Sequence, residues 1–167
     1  NLIAQTLYSI EYFYESNHLF YDLSGIEGTL TYPLTKNLSL IGHMGLITTM
    51  GNKKLLDYYL IQNPQFNVEN FYPKPNSFIE LGVEYQLLSS RVNFFNRAAL
   101  PLSFGVQVSG ITEFYAHSLQ RYFGSFAGVL RLKSSKLWGL NFRFQSSSGV
   151  DPSENRTTYF LGPYWDL

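Results

Sequence analysis

Hydrophobic and polar residues alternate strictly in the segment NSFIELGVEYQLL, residues 76–88. Apolar side chains occupy the odd positions from 79 to 87, and two carboxylates, Glu80 and Glu84, lie at even positions between them. A period of two is typical of a β-strand with two unlike faces. The segment therefore predicts a strand that separates an apolar environment from a polar one.

The same alternation recurs along almost the whole chain and predicts about eight strands. We place them at residues 2–14, 19–32, 37–50, 77–88, 100–114, 120–133, 136–147 and 157–167. Many exceed the roughly 5–6 residues of soluble strands and match the roughly 9–11 residues of a strand that crosses a membrane. We find no amphipathic helix and no linker, so we expect a single domain over residues 1–167.

Connections between the predicted strands differ in length at the two ends of the sheet. We call the end that holds the C-terminus side one, and the opposite end side two. Short connections at 33–36 and 134–135 fall on side one, together with a longer one at about 89–99. The two most elaborate loops, 51–76 and 148–156, fall on side two. Short turns at one end and long loops at the other are typical of outer-membrane barrels.

The polar faces of the predicted strands carry charged residues of both signs. They are Glu11, Glu27, Glu80, Glu84, Glu113, Arg121, Arg131 and Arg143. In a soluble lipocalin-like barrel the apolar face would fill the interior, whereas in a membrane barrel it faces lipid and the charges fill the lumen. The interior of an eight-stranded barrel is only wide enough for side chains, and the large Phe, Tyr and Leu residues of the apolar face would overfill it. We therefore predict that the charges face inward as a network of Glu–Arg pairs.

Aromatic residues lie near both ends of the predicted apolar faces. Those at side one are Tyr32, Tyr85, Trp138 and Trp165, and those towards side two include Tyr12, Tyr122 and Tyr159. Two such girdles are expected where a barrel wall meets lipid headgroups. The pattern predicts an all-β fold, an antiparallel up-and-down transmembrane β-barrel of about eight strands.

Composition narrows the classes of function. The chain has 12 basic and 12 acidic residues, so it lacks the positive footprint that nucleic-acid binding requires. Charged residues make up 14 % and aromatic residues 17 %, a balance that would make a fully water-exposed surface poorly soluble. Cysteine is absent, which excludes thiolate metal sites and Cys nucleophiles. No apolar run approaches the roughly 20 residues of a membrane helix.

The last residues, GPYWDL, resemble the terminal-strand signature of bacterial outer-membrane barrels. Gly162, the aromatic Trp165 and the terminal hydrophobic Leu167 match its spacing, although Phe is usual at the end and Pro163 removes a backbone donor. The hairpin YPLTKNLSLIGHMG resembles the periplasmic hairpins of small OmpA-like and OmpX-like barrels. The resemblance implies a bacterial outer membrane, contact with the lipid bilayer and lipopolysaccharide, and recognition by the barrel-assembly machinery. The start of the chain lacks signal-peptide features, so we expect a mature chain from which the signal has been removed.

Some small outer-membrane barrels modify lipid A, and the 3-O-deacylases among them resemble this chain in size. They use a His and a Ser two residues apart on one face of a strand. Here the candidates are Glu113, His117 and Ser118, but adjacent strand residues point to opposite faces, which disfavours a hydrolase. We expect His43 to hydrogen-bond a luminal carboxylate. No His or acidic cluster has metal-ligand spacing and no glycine-rich phosphate loop occurs, so we expect no metal and no cofactor.

Loop 51–76 contains the strongest candidate contact surface. Its segment LLDYYL, residues 55–60, is apolar for an exposed loop and indicates a partner, a lid over the barrel or an extension of the strands. The candidate contact residues are Leu55, Tyr58, Tyr59, Phe71 and Tyr72.

From these features we predict a non-enzymatic structural or binding scaffold, or a subunit of an envelope assembly, with a closed polar lumen. A protein partner would bind through loop 51–76 or through the outer barrel wall. The alternatives are a lipid A-modifying barrel enzyme (an acyl hydrolase or transferase) and a soluble lipocalin-like lipid-binding barrel. The sequence also leaves open that the chain is part of a larger barrel.

Overall fold

In a computed structural model, the chain folds into a closed barrel of eight antiparallel strands. The structure describes residues 6–15, 21–65, 73–94, 98–134, 137–150 and 155–166. The strands are β1 Leu7–Glu15, β2 Tyr21–Pro33, β3 Leu38–Asn52, β4 Pro75–Phe94, β5 Ala98–Tyr115, β6 Gln120–Lys133, β7 Trp138–Ser148 and β8 Arg156–Asp166. Each strand pairs with the next and β8 pairs with β1, so the predicted up-and-down barrel is confirmed.

The apolar face of the barrel wall points outward and the polar face points inward. On β4, Leu81 is 66 % exposed whereas Glu80 is 1 % exposed, and on β7 the exposed Phe142 lies beside the fully buried Arg143. The same alternation of buried and exposed residues runs along β1, β7 and β8. The alternative of a soluble lipocalin-like barrel is therefore wrong, because its apolar side chains would lie inside.

Loop 51–76 contains a short helix, which the sequence did not predict. Helix α1 spans Lys54–Gln62 and follows β3 almost directly. Its apolar residues are nearly continuous, so the pattern of the segment favours an extended strand as much as about two and a half turns of amphipathic helix. Within the described residues, no helix is long and apolar enough to cross a membrane.

The long side-one connection predicted at 89–99 is instead mostly strand. Strands β4 and β5 stay paired as far as Phe94 and Ala98, whereas β3 begins opposite Tyr85 and β6 ends near Leu102. A register shift between Gln86 and Leu88 marks a β-bulge in β4. We call residues 87–94 and 98–101 the β4–β5 arm. It extends beyond both neighbouring strands on side one.

The seam between β1 and β8 closes the barrel and depends on one glycine. Gly162 faces inward on β8, and a Cβ atom there would overlap the backbone carbonyl oxygen of Ile10 and lie 2.7 Å from the Cα atom of Glu11. Backbone atoms cannot move aside as a flexible side chain can. Glycine is therefore required at position 162 for β1 and β8 to approach each other.

We expect Phe142→Arg to destabilise the folded barrel in lipid by about 2–4 kcal/mol, because it places a charge on the apolar wall. The same change at Val150, which is 98 % exposed between β7 and β8, should have little effect. Urea unfolding of both variants in lipid vesicles measures the difference. Equal losses at the two positions would contradict the assignment of the faces.

A second prediction concerns the seam. Gly162→Ala should destabilise the barrel by about 1–3 kcal/mol, because the added methyl group overlaps the backbone of β1. Gly28→Ala is the matched control, since no atom lies within 4 Å of its Cβ position on the outer face. The urea midpoints of Gly162→Ala and Gly28→Ala are compared in lipid vesicles. Equal midpoints would show that the β1–β8 seam does not require glycine at position 162.

Candidate functional site: the barrel interior and helix α1

A cluster of charged and polar side chains fills the middle of the barrel interior. The guanidinium of Arg143 donates a hydrogen bond of 2.5 Å from Nη2 to Oε1 of Glu27, and its Nη1 atom lies 2.8 Å from Nε2 of His43. Nδ1 of His43 lies 2.6 Å from the same Nη1 atom and 2.8 Å from the hydroxyl of Thr29. These side chains come from β2, β3 and β7, so the cluster spans the lumen. We call it, together with Glu11 and Glu80, the central cluster.

Glu11 and Glu80 complete the central cluster from β1 and β4. Oε1 of Glu11 accepts hydrogen bonds from Ser9 at 2.5 Å and from Asn141 at 2.6 Å. Oε1 of Glu80 accepts hydrogen bonds from the hydroxyls of Ser109 and Ser125 and from the amide of Gln145. Short Ser side chains thus leave room for the longer carboxylate that reaches across the lumen from β4.

A second cluster lies towards side one. Arg131 donates two hydrogen bonds to Glu84, one to each carboxylate oxygen, and Gln107 donates a third to Glu84 at 2.8 Å. Paired, parallel hydrogen bonds of this kind are the strongest that Arg and a carboxylate form. Further out, Lys133 pairs with Asp166. A cavity of about 510 Å³ opens beside these residues at the side-one mouth.

A third cluster lies at the side-two end of the interior. Arg156 donates a 2.6 Å hydrogen bond to Glu113 and another, of 3.1 Å, to the hydroxyl of Tyr115. Its Nε atom lies 3.5 Å from a carboxylate oxygen of Glu15. The guanidinium of Arg121 lies 5.4 Å from the ring centre of Tyr115.

An apolar layer separates the central cluster from the side-two cluster. It consists of the inward-facing residues Phe13, Phe78, Ile111, Phe123 and Phe160. Phe13 meets Phe78 edge to face, with ring centres 5.6 Å apart. The guanidinium of Arg143 lies 3.7 Å from the ring centre of Phe160, and that of Arg156 lies 4.4 Å from the ring centre of Phe123. Cation–π contacts therefore join the apolar layer to both charged clusters.

The structure places the predicted network residues in different clusters. Glu11, Glu27, Glu80 and Arg143 lie in the central cluster, Glu84 and Arg131 in the side-one cluster, and Glu113 and Arg121 at side two. Sequence reasoning missed Glu15 and Arg156. We predicted a loop up to residue 156, but position 156 has the same parity as the inward residues of β8, and this parity is the signal that would have revealed it.

The predicted interface aromatics all lie on the outer wall. Their exposed fractions range from 39 % for Trp165 to 64 % for Tyr122, and Tyr12, Tyr32, Tyr85, Trp138 and Tyr159 fall between these values. Trp138 and Trp165 are register partners near the side-one ends of β7 and β8. The assignment of these rings to the headgroup region stays a prediction.

The proposed assembly signal and the rejected hydrolase site can be placed only in part. Gly162 and Trp165 lie on β8, whereas Leu167 lies outside the described residues. Residues 116–118 form a 3-10 turn rather than a strand, so the alternating-face argument against His117 and Ser118 is wrong. A different observation now opposes the hydrolase: the carboxylate of Glu113 is occupied by Arg156 and Tyr115.

Helix α1 packs one side against the barrel and exposes the other. Leu56 is 3 % exposed and contacts Tyr21 and Leu23, which are fully buried at the side-two end of β2. Tyr58 and Tyr59 are 60 % and 47 % exposed, with ring centres 6.3 Å apart in an edge-to-face arrangement. Ile61, 75 % exposed, lies close by in sequence. Of the predicted contact residues, Phe71, Tyr72 and the side chain of Leu55 lie outside the described part of the chain.

Comparison with known proteins identifies the fold. The N-terminal β-barrel domain of Pseudomonas aeruginosa OprF is 16 % identical, with a TM-score of 0.52 over 98 % of both chains. A designed transmembrane β-barrel is 12 % identical, with a TM-score of 0.54 over 98 % of this chain and 95 % of the other. The chain has the fold of a transmembrane β-barrel. The attachment invasion locus protein Ail of Yersinia pestis is 9 % identical, with a TM-score of 0.47 over 98 % of this chain and 97 % of that one.

At these identities the likeness extends to the fold of small eight-stranded barrels and no further. No protein-family model matches the chain. No curated protein matches it either. Any more specific role for this barrel must therefore be argued from its own interior and loops.

The pairing of Arg143 with Glu27 can be tested by a double-mutant cycle. Arg143→Met should cost about 3–5 kcal/mol of unfolding free energy, because it leaves Glu27 buried without its cation. Adding Glu27→Gln to that variant should recover part of the loss, since the unpaired charge is removed as well. Urea unfolding in vesicles gives the four values. Strictly additive losses would show that the two side chains do not interact energetically.

Proposed function

We propose that this protein is a non-enzymatic scaffold of a bacterial outer membrane, which presents helix α1 to a protein partner on side two. The observation that carries the proposal is the division of α1 into an anchored side and an exposed side. Leu56 fixes the helix on Tyr21 and Leu23, while Tyr58, Tyr59 and Ile61 remain exposed. A helix held in place by the barrel loses little conformational freedom on binding.

The chemistry of the exposed side fits a protein interface. Tyr side chains supply large, rigid contact areas and a hydroxyl that tolerates water, which is why they are enriched at interfaces. Ile61 adds an aliphatic group beside them, and Asp57 is the one charged residue between Lys54 and Gln62. Outer-membrane barrels have short turns at the periplasmic end and longer loops at the external end, so side two, which has the longer loops, would be external. We therefore propose an external partner with a complementary apolar groove.

A closed lumen is the second part of this proposal. Three observations support it: the bidentate Arg131–Glu84 pair, the central cluster around Arg143 and the apolar layer. Next to the apolar layer, the interior leaves a cavity of only about 20 Å³, which is room for roughly one water molecule. A pore through the barrel would have to follow its axis, and these inward-facing side chains occupy that space. A scaffold does not require such a pore.

The interface can be tested by photo-crosslinking in native membranes. A photoreactive residue at position 61, 75 % exposed, should give a protein adduct, whereas one at position 150, 98 % exposed in the loop between β7 and β8, should not. Changing Tyr58 and Tyr59 to Ser should abolish the adduct from position 61, because it removes most of the contact area beside it. Equal adducts from positions 61 and 150, or an adduct that survives the loss of both Tyr rings, would contradict the proposed interface.

The lumen can be tested by single-channel recording in planar bilayers. We expect no steady conductance from the purified monomer, because charged pairs and the apolar layer fill the cross-section. Changing Phe78 and Phe123 to Ala should introduce or raise a conductance, since it removes two rings of that layer. A large, steady conductance from the unmodified protein would refute the closed lumen.

A further inference from the structure

We propose that Glu27, His43 and Glu80 form a binding site for one divalent transition-metal ion inside the barrel. One carboxylate oxygen of each Glu and one ring nitrogen of His43 all lie within 4.8 Å of one another. The three residues are 1 %, 3 % and 1 % exposed. They come from β2, β3 and β4, three neighbouring strands, which explains why no ligand spacing is visible in the sequence.

The first argument for a cation is a surplus of negative charge. In the central and side-one clusters, the described residues include four buried carboxylates, Glu11, Glu27, Glu80 and Glu84, but two guanidinium groups, Arg131 and Arg143. Four negative charges against two positive charges leave two uncompensated. Unpaired charges are very costly in a low-dielectric interior. One divalent ion would cancel the surplus.

The second argument is the nature of the unsatisfied atoms. Oε2 of Glu27 and Oε2 of Glu80 are buried and have no hydrogen-bond partner among the described residues, although Oε1 of each carboxylate is fully engaged. The same holds for Oε2 of Glu11 and for the amide oxygens of Asn141 and Gln145. These atoms are all electron-pair donors. Among the described residues of the central cluster, the one buried donor without a partner is Nε of Arg143, so unpartnered acceptors outnumber unpartnered donors.

His43 shares one feature with metal-bound histidines, a hydrogen bond from one ring nitrogen to a neighbouring side chain. Its Nδ1 atom lies 2.8 Å from the hydroxyl oxygen of Thr29, so Nδ1–H can donate there and leave a lone pair on Nε2. A second hydrogen bond that fixes the ring in this way is common for metal-bound His. Nη1 of Arg143 lies 2.6 Å from Nδ1 and 2.8 Å from Nε2, between the two ring nitrogens. Metal binding requires Nη1 to withdraw, while Nη2 can keep its hydrogen bond to Glu27.

The donor set decides the class of ion. Carboxylates suit Mn²⁺ and Zn²⁺, and an imidazole favours Zn²⁺ over Ca²⁺ and Mg²⁺. Ligands of a tetrahedral Zn²⁺ at about 2.1 Å lie roughly 3.4 Å apart, so these side chains would have to close by roughly 1 Å. Gln145 donates a hydrogen bond from its amide nitrogen to Glu80, and a flip of this amide would turn its unpartnered oxygen towards the ion to complete the ligand shell. Zn²⁺ is therefore the probe of choice.

The test measures zinc in the folded protein. Protein extracted in detergent from cells grown with Zn²⁺ is washed with EDTA, and its metal content is measured by elemental analysis. We expect about one zinc per chain, because the packed interior slows its loss. His43→Gln and Glu80→Gln should lower the content at least about tenfold. Glu113→Gln, which changes a buried carboxylate paired with Arg156 in the side-two cluster and outside this charge count, should leave it unchanged.

Two results would overturn the proposal. One is wild-type protein without bound zinc, which would mean that protons neutralise the surplus carboxylates. The other is zinc that His43→Gln and Glu80→Gln retain, which would place the ion elsewhere. If these variants fail to fold, wild-type protein refolded with Co²⁺ supplies the answer. Visible absorption typical of cobalt bound by nitrogen and oxygen supports the site, and its absence rejects it.

Discussion

In the hydrocarbon core of a membrane every backbone amide needs a partner within the protein, and this constraint governs the structure. A sheet can meet it only by closing on itself, so β1 and β8 must pair. The closure brings Gly162 so near to Ile10 and Glu11 that no side chain fits between the strands. Pro163, beside it, has no backbone N–H, so β8 has one backbone hydrogen-bond donor fewer at this point.

Closure also decides what the interior contains. The apolar face of every strand contacts lipid, so the polar face must fill a lumen that is just wide enough for side chains. Charges there must be neutralised by one another, by protons or by ions. The separate charged clusters, joined through cation–π contacts to Phe123 and Phe160, show how the chain meets that requirement along the barrel axis. The proposed metal site lies where pairing by side chains is least complete.

Much of this arrangement could be predicted from the sequence because alternation has a direct geometric meaning. The parity of Glu80 and Glu84 places both carboxylates inside, and the polarity of the lumen then follows. Parity does not tell which partner each carboxylate meets, since this depends on the register and tilt of strands far apart in sequence. Glu27 lies beside Arg143, 116 residues away. The metal ligands lie on three strands for the same reason.

Local features escaped prediction for other reasons. Helix α1 is short, and its nearly continuous apolar residues suit a strand equally well; only Leu56 and its contact with Leu23 distinguish the helix. The β4–β5 arm was hidden because the bulge between Gln86 and Leu88 reverses the parity beyond it. Phe123 and Val129, by contrast, have the parity of the polar face of β6 and lie inside as that parity predicts, although both are apolar.

The β4–β5 arm has a consequence for how the barrel sits in lipid. Beyond the bulge, Leu88 pairs with Phe104 and Val92 pairs with Leu100, so the apolar wall continues along the arm past the ends of β3 and β6. The hydrophobic belt is therefore taller on one flank of the barrel than on the other. A bilayer of uniform thickness cannot match both flanks of an upright cylinder, and mismatch of this kind is relieved by tilt or by local thickening. The barrel should lean, with the arm setting the direction, and lipids along that flank should be more extended than those opposite.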